Sequence, residues 1–123
     1  MQRGQVIMGQ VIQTSAAREI ASLRNKLTKA HERGYCAIRF ELGNGRAVMR
    51  WQKAGQWDLI DEFTSLYVRD VINALAVAIG HTEKVEGHLQ GQITDPDLIP
   101  PPLTHLSITI DASGSVLIAD IIF

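Results

Sequence analysis

His105, Ser107 and Asp120 are the residue types of a hydrolytic triad, and they fall close together near the C-terminal end. If Ile110 pairs with Ser115 across the loop Asp111-Ala112-Ser113-Gly114, all three share one face of a hairpin. Their setting argues against catalysis. Ser107 belongs to a regular alternating stretch, with no Gly-x-Ser-x-Gly elbow and no helix N-terminus beside it to supply oxyanion donors. A cross-strand His105–Asp120 contact is the expectation, and no catalytic residue is assigned. His31, His81, His88 and His105 have no metal-ligand spacing among themselves or with Cys36, so no metal site is assigned. Gly43-Asn44-Gly45 lacks the lysine and helix of a phosphate-binding loop and the third glycine of a dinucleotide fingerprint. It reads as a turn, and no cofactor is implied. Cys36 is expected on the core face of a strand, as a small apolar group.

Arginines offer more. A two-residue turn at Asn44-Gly45 pairs Leu42 with Ala47, Phe40 with Met49, Ile38 with Trp51, and therefore Arg39 with Arg50. Like charges directly opposite disfavour pairing unless something compensates them. Arg39, Arg50, Tyr35 and Glu41 are thus candidates for holding a small anionic ligand, such as a nucleotide, or an acidic protein surface. The competing reading is that Glu41 bridges diagonally and both guanidiniums are solvated. A basic stripe, Arg18, Lys26, Lys29 and Arg33, lies along one side of a helix. Without interleaved aromatics or a recognisable motif it reads as a solvated face, with nucleic-acid binding a third-ranked alternative.

The positioning elements follow from periodicity and punctuation. Residues 1–14, with the short echo Gly4-Gln5-Val6-Ile7 and Gly9-Gln10-Val11-Ile12, read as an arm or edge strand before a single domain over 15–123. Ser15 caps a helix over about Ala16–Arg33, with Ile20, Leu23, Leu27 and Ala30 inward and Gly34 closing it. Strands are expected over Tyr35–Leu42 and Ala47–Lys53, and a second helix from Asp58 to Gly80 with Asp61 and Glu62 in its first turn. That helix is apolar all round over Ala74–Ile79, so its end must be covered on every side. Alternation over Glu83–Ile93 gives a strand, and Thr94–Pro102 a stiff exposed connector in which Leu98 and Ile99 could dock a partner. The last hairpin, Leu103–Ile110 with Val116–Phe123, is apolar on both faces of its second strand. That strand is central, or Val116, Ile118 and Ile122 meet a partner.

The 123 residues, 46 % of them hydrophobic, suffice for one domain with a real core. A single cysteine excludes an internal disulfide framework and fits a reducing compartment, so a cytoplasmic location is expected. Val6-Ile7-Met8 is too short for a secretory h-region, and no run approaches the ~20 apolar residues of a membrane span. The net charge of −1 conceals segregation. Residues 1–56 carry ten basic and three acidic groups, and residues 57–123 carry two basic and ten acidic ones.

These elements predict an α+β two-layer sandwich in the order α-β-β-α-β-β-β, with a largely antiparallel five-stranded sheet and two helices on one face. That order is similar to the roadblock type of dimerising scaffold, in which a further helix follows the last strand. The similarity concerns element order alone and assigns no function. Excess apolar surface and segregated charge point to a non-catalytic binding protein, an adaptor or inhibitor of another macromolecule, acting as a homodimer or higher homo-oligomer.

Overall fold

The computed structural model describes residues 18–19 and 21–123. The expected arm over 1–14, the Ser15 cap and Ile20 of the first apolar stripe lie outside the described residues. Helix α1 covers 21–32, with 18 and 19 also helical, and buries Leu23, Leu27 and Ala30 as their spacing predicts. Gly34 ends it at φ +85°, with Gly34 N donating to His31 O and Tyr35 N to Ala30 O. This is the paired-bond closure that a left-handed glycine permits.

Strands β1 (Ala37–Gly43) and β2 (Arg46–Lys53) form the expected hairpin. Asn44 and Gly45 both take positive φ, and the predicted pairs Leu42 with Ala47, Phe40 with Met49, Ile38 with Trp51 and Arg39 with Arg50 are all present. Beyond Lys53 the chain departs from expectation. Ala54 and Gly55, again both at positive φ, make a second tight turn into β3 (Gln56–Glu62), a strand in place of the start of the second helix. Asp58, Asp61 and Glu62 resemble an acidic first helical turn because a bulge interrupts the alternation of β3. Leu59 pairs with Arg50 and Asp61 with Met49, leaving Ile60 as the extra residue. Helix α2 begins seven residues later than expected, at Ser65–Ala78, where Thr64 Oγ1 accepts from Tyr67 N at 3.1 Å. In its C-terminal turn Ala74, Leu75 and Ala76 are buried within the chain, whereas Val77 is 51 % exposed, so the end is covered on some sides and not on all.

Strand β4 (Gly87–Ile93) is shorter than its alternating stretch. At Gly91 the backbone comes so near α2 that a Cβ would lie 2.8 Å from Ile79 Cβ. The connector after it is exposed at Thr94–Asp97 and at Pro101 and Pro102 as expected, but Ile99 and Pro100 are buried and Leu98 packs on the core. Strands β5 (Leu106–Ala112) and β6 (Leu117–Ile122) pair Ile110 with Ala119 rather than with Ser115. The register is shifted by four residues from the expected one. An even slip preserves the faces but replaces every cross-strand partner.

Among the described residues all pairings are antiparallel, and the sheet has six strands, not five, in the order β3-β2-β1-β6-β5-β4. The element order is therefore α-β-β-β-α-β-β-β, and the additional β3 removes the match to the roadblock order. One apolar cluster joins Leu23 and Leu27 of α1, Val68, Ile72 and Leu75 of α2, and Ile38, Phe40, Ile108, Ile110 and Ile121 of the sheet. Strand β6 is central, between β1 and β5. Among the described residues no helix is long and apolar enough to cross a membrane.

Candidate functional site

Registers across the sheet place the outer-face residues in transverse rows. The middle row runs Leu59, Arg50, Arg39, Asp120, Thr109 and Gln90. A flanking row runs Trp57, Gln52, Ala37, Ile122, Ser107 and Gln92, and the row on the other side runs Glu62, Val48, Glu41, Ile118, Asp111 and His88. Arg39, Arg50 and Glu41 are thus brought together as the sequence predicts. Both guanidiniums are already engaged. Arg39 donates through Nε and one Nη to the two oxygens of Asp120 at 2.7 and 2.9 Å, and Arg50 Nε donates to Glu41 Oε2 at 2.8 Å.

The opposed arginines are compensated by one carboxylate from the neighbouring strand and one from the diagonal. A two-pronged guanidinium–carboxylate pair is among the stronger polar contacts, and here both groups keep less than a third of their side-chain surface exposed. The Arg39 guanidinium also stacks over the Trp57 ring at 4.2 Å, adding about 0.5–2 kcal/mol. Hydrogen bonding to Asp120 holds the Arg39 pKa above its ordinary value, against the opposing effect of burial. An external anion at this point must displace Asp120 or Glu41.

Tyr35 does not join them. It precedes β1 and turns to the helix side, where its hydroxyl donates to Asp58 Oδ2 at 2.9 Å and its ring meets Trp51 edge-on. The Asp58 hydrogen bond, with lesser contributions from burial and charge, raises the Tyr35 pKa. Of the candidate partner-binding residues, Ile118 and Ile122 lie on the outer face and Val116 in the loop beside Gly43, whereas Leu98 and Ile99 belong to the core side. Ile122 is 51 % exposed and Leu59 is 48 % exposed.

The expected His105–Asp120 contact is absent. His105 precedes β5 and is exposed, with Thr104 Oγ1 as its neighbour, Ser107 faces Ile122 and Gln92, and Asp120 belongs to Arg39. Among the described residues no three His, Cys, Asp or Glu side chains could hold a metal ion together. Cys36 is exposed rather than buried, because it lies just before β1, where Sγ reaches Gln52 O at 3.5 Å.

A second arrangement was not legible in the sequence. Between α1 and the β2–β3 hairpin lies a cleft of ≈ 410 Å³, lined on one side by Ser22, Lys26, Lys29 and Arg33 and on the other by Met49, Trp51, Ile60 and Phe63. Lys26 Nζ sits 5.6 Å from the Phe63 ring and 5.4 Å from the Tyr67 ring while donating to Ser22 Oγ at 3.1 Å. Trp51, 3 % exposed, has an indole N–H without an acceptor among the described residues. Such an orphaned donor costs about 1–3 kcal/mol. The stripe reads as a solvated face until β3 is recognised, since β3 and Phe63 build the facing wall. No protein-family model and no curated protein matches the chain.

Proposed function

We propose that this chain is a non-catalytic binding protein, an adaptor or inhibitor of another macromolecule, whose working form is a homo-oligomer joined through the outer sheet face. One observation carries the reading: Arg39, Arg50, Glu41 and Asp120 neutralise one another in the middle of a face that also presents Ile122, Ile118, Leu59 and Trp57. Charges already paired within one copy can be covered without finding new counterions, so covering this face mainly removes apolar surface from water. Two such sheets stack at about 10 Å, with side chains interdigitating. A second copy is the natural occupant because a two-fold axis lets the same patch meet itself, ion pairs beside apolar flanks.

The paired substitution Ile118→Asp/Ile122→Asp tests this. Each new carboxylate enters the outer face beside Asp120, so the oligomer is expected to dissociate while the circular-dichroism melt stays cooperative. An unchanged oligomeric mass in the folded variant would remove the proposal.

A further inference from the structure

We propose that the cleft between α1 and the β2–β3 hairpin binds a small ligand that joins two anionic groups to a flat apolar body, of the nucleoside diphosphate class. This goes beyond self-association and uses the opposite layer of the molecule.

Lys26 and Lys29 of α1 and Arg33 just past its end present about one cation per helical turn over about 10 Å, at the helical rise of about 1.5 Å per residue. None of the three has a carboxylate within ion-pairing distance among the described residues, whereas the outer-face arginines are all paired. Cations on a solvated helix face ordinarily point away from apolar surface, with only their stems lying along it. Here they share a concavity with Met49, Trp51, Ile60 and Phe63, and the cleft falls within the ~300–1,000 Å³ range of small-molecule sites. Lys26 is held in place by Ser22 Oγ and by two aromatic rings, so its charge is positioned before any ligand arrives. Trp51 supplies the second, independent sign, a nearly buried indole whose N–H has no acceptor among the described residues. The three cations suit the charges of a diphosphate, and the apolar wall suits a ring.

A long polyanion fits less well. Asp61 lines the cleft itself, and Asp58 and Glu62 stand on the same edge strand, so a chain of phosphates leaving α1 toward β3 would meet like charge.

Calorimetric titration of the unmodified chain with ADP tests the assignment, alongside nitrogen–proton spectra of the two indoles. Saturable binding that weakens with added salt is expected, with the Trp51 indole signal moving and that of Trp57 unmoved. Lys29→Ala/Arg33→Ala should weaken ADP binding about tenfold or more with the thermal melt retained, and Lys84→Ala, distant from the cleft, should leave it unchanged. Absence of saturable ADP binding, or equal affinity in the Lys29→Ala/Arg33→Ala variant, overturns the site. Inorganic pyrophosphate binding as tightly as ADP overturns the flat-body assignment, and a single-stranded oligonucleotide binding better than ADP overturns the small-ligand class.

Discussion

Arg39 shows how a side chain can be placed correctly by register while its ion-pair partner lies beyond the reach of local sequence. The turn at Asn44-Gly45 sets it opposite Arg50, but Asp120, far away in sequence, decides that it is a paired group rather than an open anion site. Removing one partner leaves the other partly buried without its counterion. Arg39→Ala or Asp120→Ala is therefore expected to lower stability by about 1.5–3 kcal/mol, with a double variant well short of additive in a denaturant cycle. A simple sum of the two losses would show that the pair is uncoupled. Asp111 gives a pH-dependent counterpart. Hydrogen bonds from Ser113, its Oγ at 2.6 Å and its N at 3.0 Å, depress the Asp111 pKa. A depressed carboxylate favours the fold above its unfolded pKa, and that contribution is lost as pH falls through the folded value. Ser113→Ala should move the Asp111 carboxyl titration, followed by NMR, upward toward the ordinary range and shrink this acid dependence. An unmoved titration would contradict the assigned cause.

The first hairpin and α1 are legible from agreeing local signals, and β3 is not. The first hairpin combines Asn-Gly with clean alternation, and α1 combines spacing with a terminal glycine, so the hairpin register and the described part of α1 appear as read, with β1 starting two residues later than expected. Strand β3 failed on both counts: its turn uses Ala54 where asparagine or glycine would advertise positive φ, and its bulge at Ile60 puts Asp58 and Asp61 on one side. Asparagine tolerates that backbone region better than alanine. Ala54→Asn is therefore expected to stabilise the protein by several tenths to about 1 kcal/mol, read as a shift in denaturation midpoint with unchanged slope. A loss of stability would mean that the turn is held by something other than its backbone preference. Gly91 carries the opposite expectation, because an added methyl meets the Ile79 Cβ, and Gly91→Ala should lower stability by about 1–3 kcal/mol. The site residues missed in the sequence were missed for the same reason as β3. Lys26, Lys29 and Arg33 become the wall of a cleft only when β2 and β3 supply Trp51 and Ile60 opposite them.

At the scale of the whole molecule, the segregated charge is partly consumed by folding. Arg39–Asp120 and Arg46–Glu62 each join the basic first half of the chain to the acidic second half. What remains is a division of labour between two layers: cations of α1 facing a cleft on the helix side, and a neutralised, apolar-flanked sheet on the other. Exposed apolar surface, expected at the end of α2 and on the last strand, is found on both: Leu66 and Val77 of α2, and Leu59 and Ile122 of the sheet. If a second copy covers this outer face, as proposed, the solution mass of the unmodified protein shows it most directly. Size-exclusion light scattering across a dilution series is expected to give about twice the 13.6 kDa of one chain, falling only on strong dilution. A constant 13.6 kDa at the highest soluble concentration would contradict it.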